Sequence, residues 1–160
     1  MRRCSYLGGR YLGGRVMTIE QMRVSYTHDG DTIKVFRTIG HSAEEVRIRL
    51  AYIDAPEINH PASYPYAIAA RAYLRRLLAL REAINVTVLG HDGYGRIIGE
   101  VRRVRDDGNC ALRLVVGGYA ALWRCPQERG EYYAAQEIAQ RKRAGIWKQD
   151  GPWQTPWRYR

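Results

Sequence analysis

Arg49-Leu50-Ala51-Tyr52-Ile53-Asp54-Ala55-Pro56-Glu57 closes an alternating run that begins at Val46 and ends on an acid two residues before a proline. Alternation of Val46, Ile48 and Leu50 with arginines is the signature of a strand with one buried face. Pro56 turns the residue before it away from helix, so the run stops there. Upstream, Met22 to Tyr26 and Ile33 to Thr38 flank Asp29-Gly30, a strong turn signal between two strands. Downstream, Ser63 and Pro65 open a helix whose Ala70, Leu74, Leu77 and Leu78 share a face, with Arg71, Arg75 and Arg76 off it.

Two further strands, Ile84 to Leu89 and Ile97 to Val104, are joined by the turn-rich His91-Asp92-Gly93-Tyr94-Gly95. Asn109 can cap a short helix through Val116 that Gly117-Gly118 ends. A last amphipathic helix is expected from about Gln127 to Ala144, with Ile146 and Trp147 folding back onto the core after Gly145. Five strands, a helix after the third and helices at the end predict an α+β, mainly β, fold: a five-stranded OB-type Greek-key barrel with three helices.

A chain of 160 residues supports one well-buried domain. Residues 1–16 hold a duplicated Tyr-Leu-Gly-Gly-Arg and read as a flexible basic low-complexity tail, either a nucleic-acid-contacting arm or a dispensable extension. Residues 17–150 form the domain, and 151–160 a C-terminal strap without an assigned site. The net charge of +10 attracts polyanions, nucleic acid first. Twenty-three of the 26 basic residues are arginine, which suits bidentate phosphate contacts but also follows from GC-rich codons. Three cysteines without CxxC spacing and four scattered histidines indicate neither a disulfide framework nor a zinc site.

No stretch approaches the roughly eighteen apolar residues of a membrane span. The N-terminus lacks the apolar centre of a signal peptide, which makes the cytoplasm the default location. Met17 is an equally plausible start, so a mis-assigned first residue leaves secretion open. No protein partner is expected, and the chain reads as a monomer.

The chemistry-bearing residues are acids and arginines. Asp31, Asp54 and Glu57, brought together, would repel by about 4 kcal/mol per pair at 4 Å and an effective dielectric of ~20 unless a positive group lay between them. A hard divalent cation suits that place. Arg49 and Arg96 then face an anion, and a phosphate matches their planar forks. Acids, metal and paired arginines point to phosphodiester chemistry. One geometric condition attaches: Arg49 and Asp54 are five apart, so a flat strand would point them to opposite faces, and the strand must bend near its end.

Asp29-Gly30-Asp31-Thr32, the Arg49-Leu50 strand ending in Asp54-Ala55-Pro56-Glu57, and Tyr94-Gly95-Arg96 together resemble the staphylococcal nuclease-like family over about residues 22–148. The resemblance implies that Asp31, Asp54 and the main-chain oxygen of Ala55 hold one Ca²⁺. It gives Glu57 the attacking water, and it gives Arg49 and Arg96 the phosphate. It further implies a calcium-dependent nuclease acting on DNA and RNA, single strands preferred, endonucleolytic and leaving 3′-phosphate ends. Many members carry tyrosines beyond the short helix, where a nucleotide packs; here Arg124 and Pro126 stand near those positions, beside Trp123. Trp123 is a core residue or, with Arg124 and Tyr94, a substrate-binding platform. The start of the first helix, Tyr66-Ala67-Ile68-Ala69-Ala70, also lacks the glycine and glutamate common there. The alternative is a noncatalytic OB-type module that binds single-stranded nucleic acid.

Overall fold

A computed structural model describes the backbone of residues 6–12 and 15–159 and the side chains of 17–159. Its strands are β1 (Tyr6–Leu12), β2 (Arg15–Thr27), β3 (Thr32–Ile39), β4 (Ser42–Leu50), β5 (Ile53–Asp54), β6 (Ala83–His91), β7 (Ile97–Arg103) and β8 (Ala121–Leu122). The helices are α1 (Tyr64–Leu77), α2 (Cys110–Val116) and α3 (Gly130–Arg141).

The long strand β2 closes the barrel. It pairs with β6 over Thr18–Arg23 and with β3 over Arg23–Thr27, with a register shift between Val24 and Tyr26 that lets one strand serve two neighbours. Antiparallel β3–β4, parallel β4–β7 and antiparallel β7–β6 complete a five-stranded mixed barrel. Alternation along β3 and β4 sends Ile33, Val35, Ile48 and Leu50 into the core, where they meet Met22, Val24, Ile84, Val86 and Val101. Each such side chain stabilises the fold by about 1.5–3 kcal/mol relative to exposure. The expected α+β barrel with three helices is the observed one.

Helix α1 lays Ala70, Leu74 and Leu77 on this core, with Leu78 following as its C-cap. Asn109 caps α2 as its sequence suggests, its side-chain oxygen accepting from Leu112 N–H at 3.0 Å. Helix α3 is shorter than expected: it starts at Gly130 rather than Gln127, and a left-handed Arg143 (φ 51°) follows its end. At Gly145 the chain crosses the loop after α2. A Cβ there would stand 2.1 Å from the Gly118 carbonyl oxygen, which accepts from Ile146 N–H at 2.9 Å. That crossing buries Ile146.

Part of the segment read as a flexible tail, Tyr6–Leu12, pairs antiparallel with the start of β2 as strand β1. Residues 1–5 and 13–14 lie outside the described residues. Among the described residues, no helix is long and apolar enough to cross a membrane.

The strand expected over Val46–Ile53 is longer at its start and interrupted near its end. β4 begins at Ser42 and stops at Leu50; Ala51 and Tyr52 turn, with Tyr52 at φ 69°; β5 resumes at Ile53. This corner is the bend that the odd spacing of Arg49 and Asp54 demands.

Candidate active site

The turn between β2 and β3 holds the first acid. Asp29 accepts from Asp31 N–H at 3.0 Å, an Asx turn, and the amides of His28 and Asp29 both donate to the Thr32 carbonyl. Gly30 does more than turn the chain. A Cβ at this position would come within 2.6 Å of Ala55 Cβ and 2.7 Å of Ala70 Cβ, so the turn presses directly on α1 and on the segment after Asp54. That closeness lets Asp31 reach across, its Oδ2 accepting from Ala55 N–H at 2.7 Å and its Oδ1 from the Thr32 hydroxyl at 3.0 Å. Burial pushes the neighbouring Asp29 carboxyl up to about 7, and the negative charge of Asp31 adds to that shift.

Arg49 stands between the two aspartates. Its Nη1 lies 3.1 Å from Asp31 Oδ2, its Nη2 donates to Asp54 Oδ1 at 2.5 Å, and Nη1 also donates to the Leu50 carbonyl. Arg49 is 6 % exposed, Asp31 2 % and Asp54 0 %. The positive group that these carboxylates require is therefore supplied in part by a side chain of the chain itself.

The second arginine is set by the β6–β7 turn. Asp92 accepts from the backbone amides of Tyr94 (2.9 Å) and Arg96 (3.0 Å) through Oδ1 and from Arg96 Nε through Oδ2 (2.7 Å). Gly95 supplies the left-handed residue (φ 74°) that this tight turn uses. Burial works to raise the Asp92 carboxyl, but the donors from Arg96 and Tyr94 outweigh it and hold it below its ordinary value of 3.8. Its contribution to stability is thus complete above that value and is lost as the pH falls below it. Arg96 Nη1 reaches the Thr32 hydroxyl at 3.4 Å, which ties the second arginine to the residue beside Asp31.

Glu57 lies half-buried in the turn after β5, its carbonyl accepting from His60 N–H at 3.3 Å. His60 packs edge-on against Tyr159 with ring centroids 5.1 Å apart. Arg49 and Arg96 border a groove of about 690 Å³ whose other walls include Tyr94, Trp123, Arg124 and Trp157. All three residues expected to contact substrate thus lie along one groove with the two arginines. Trp123 is half-buried on that groove rather than in the core.

Three contributors escaped the sequence reading. Asp92 reads from the sequence as a turn residue, although an aspartate four before an arginine, with glycines at 93 and 95, is a signal for an Asx turn that orients it. Thr32 stands in its motif beside Asp31 without a chemical signal of its own. Trp157, in the strap, carried no signal at all.

The donor set fits a hard cation. Asp31 and Asp54 offer only oxygens and converge on one positive charge, the donor chemistry Ca²⁺ takes, with main-chain and water oxygens to complete six to eight ligands. Among the described residues, no group of three or more His, Cys, Asp or Glu side chains is arranged around one point, so main chain and water would supply the remainder.

A closed barrel in which Arg49 pairs with two buried aspartates and, with Arg96, lines an indole-walled groove is the setting for the family comparison. The chain belongs to the staphylococcal nuclease-like family: the family model described as Staphylococcal nuclease homologue matches residues 47–149. It is 32 % identical over 138 residues to an uncharacterized endonuclease of Escherichia coli, covering 86 % of this chain and 83 % of that one. It is also 30 % identical over 189 residues to the probable endonuclease LCL3 of Paracoccidioides lutzii, covering 98 % of this chain and 53 % of the fungal protein. The chain spans about half the length of such fungal relatives.

Proposed function

We propose that this protein is a calcium-dependent endonuclease that hydrolyses phosphodiester bonds of DNA and RNA, prefers unpaired strands and leaves 3′-phosphate ends. The observation that carries the reading is Arg49 held between buried Asp31 and Asp54 at a groove that Arg96 also borders. Family membership and relatives described as endonucleases support it.

In this reading Asp31, Asp54 and the Ala55 carbonyl would hold the cation, which would supply Lewis-acid polarisation of a phosphoryl oxygen. The guanidinium forks of Arg49 and Arg96 grip the phosphate and meet the charge that grows on its equatorial oxygens. Glu57 orients a water in line with the scissile bond and accepts its proton. Trp123, Arg124 and Tyr94 bind the nucleoside beside the phosphate.

Purified protein is expected to degrade single-stranded DNA, double-stranded DNA and RNA with Ca²⁺, fastest on the single strand, and to stop in chelator. End-group analysis should find 3′-phosphates. Tight, salt-sensitive binding without cleavage at any calcium concentration would replace this reading with that of a binding module.

Asp92 has a share in this. Asp92→Ala leaves Arg96 unoriented and is expected to lower kcat about ten- to hundredfold, the scale of a misplaced catalytic group. Asp92→Asn keeps an oxygen for the two amides and should recover part of the loss. Equal kcat values for wild type and Asp92→Ala would show that Arg96 does not depend on this turn.

A further inference from the structure

Residues after α3 do not trail away from the domain. Trp153 is buried, its indole N–H shared between the Ile146 and Gln149 carbonyls at 3.0 and 3.2 Å, and its ring stacks on Tyr66 at 4.5 Å. The Gln154 amide donates to the same two carbonyls at 2.9 and 3.2 Å. So anchored, the strap runs through buried Pro156 and carries Trp157 onto Trp123, with ring centroids 4.9 Å apart and planes at 19°. The Arg124 guanidinium carbon lies 5.2 Å from the Trp123 ring centroid. Trp157, Trp123 and Arg124 all border the groove that Arg49 and Arg96 also line.

We propose that Trp157 is a substrate-contacting residue of this groove: backed by Trp123, it presents its outer ring face as the wall on which an unpaired nucleobase next to the bound phosphate stacks. The inference rests on the nuclease reading for the identity of the phosphate. The groove has two chemically distinct parts, and only one kind of ligand fits both. Arg49 and Arg96 take a phosphate, while Trp157, one face of which lies on Trp123, has its other face for a base, which a flat π-system suits better than water. A net charge of +10 draws in the polyanion that carries both groups. A paired base has its faces covered by its own stack, so this wall favours single strands. The strap thereby acts as a specificity element, which explains why two further groups, Trp153 and Gln154, are spent on holding it down.

The test is binding without cleavage. A fluorescently labelled short oligodeoxythymidylate, and the same backbone carrying abasic sites, are titrated in chelator with the full chain and with Trp157→Ala, Trp157→Leu and Trp157→Phe. Loss of one base stack is expected to weaken binding of the base-bearing oligonucleotide roughly tenfold in the Ala and Leu variants. The abasic backbone should change less than about twofold, and Phe, which keeps a ring, should hold most of the affinity. Leucine fills the space without an aromatic face, so it separates stacking from packing even if the alanine variant loosens the strap. Unchanged affinity for the base-bearing strand in both variants, or equal losses on both strands, overturns the inference. Cleavage is read separately with Ca²⁺. A wild type that discriminates the two strands but cuts neither would sink the nuclease reading and leave the base subsite standing.

Discussion

Arg49→Ala is expected to lower stability by about 3–5 kcal/mol in chelator, because it removes the guanidinium that pairs with two buried carboxylates, Asp31 and Asp54. In a chain of this size that corresponds to a fall in Tm of roughly 6–20 °C. Calcium should then act differently on the two proteins. On the proposed reading, the incoming cation shares its carboxylates with a guanidinium in the wild type and replaces a lost positive charge in the variant. The gain in Tm on adding Ca²⁺ is therefore expected to be larger for Arg49→Ala than for wild type, following the usual linkage of ligand binding to folding. Activity should not return with stability if Arg49 is the phosphate donor proposed above, and a loss of about 10²- to 10³-fold in kcat is the scale for one such donor. Denaturant unfolding with and without calcium checks both halves. A variant as stable as wild type in chelator would show that Arg49 does not neutralise the aspartate pair.

Much of the barrel was legible because local and global signals agree. Val46, Ile48 and Leu50 alternate, Asp29-Gly30 marks a turn, and Asn109 is a good cap; each of these is decided by neighbours in sequence. The corner at Ala51–Tyr52 was not legible, although the geometry of the site required it. Tyrosine carries no signal for a left-handed conformation. The corner is held instead by residues far along the chain. Trp123 N–H donates to the Tyr52 carbonyl at 2.9 Å, the Tyr52 ring meets Tyr132 edge-on, and Arg129 reaches the Tyr52 hydroxyl at 3.4 Å while pairing with buried Glu100 at 2.5 Å. Burial raises the Glu100 carboxyl and Arg129 opposes that shift, so the pair is a tertiary device that no local window contains. The strap was legible, but its seat on the groove was not, for the same reason. Trp157 has meaning only because Trp123, 34 positions earlier, lies beneath it.

Glu57→Gln separates chemistry from architecture most cleanly. The amide keeps the shape of the side chain and its capacity to hydrogen-bond, and Glu57 is half-buried, so Tm is expected to stay close to wild type. What the amide cannot do is accept a proton from water at neutral pH. If Glu57 is the group that does so, kcat falls by about 10²- to 10⁴-fold, the range for a general base, which is about 2.7–5.5 kcal/mol of transition-state stabilisation. KM should change little, because the contribution is made only as the water attacks. The arginines offer a contrast: if they hold the phosphate before and during the reaction, as proposed, their loss should raise KM as well as lower kcat. A Glu57→Gln protein with wild-type kcat would remove this carboxylate from the chemistry. One with raised KM and unchanged kcat would make it a binding residue, and the proton of the attacking water would then have to leave to solvent.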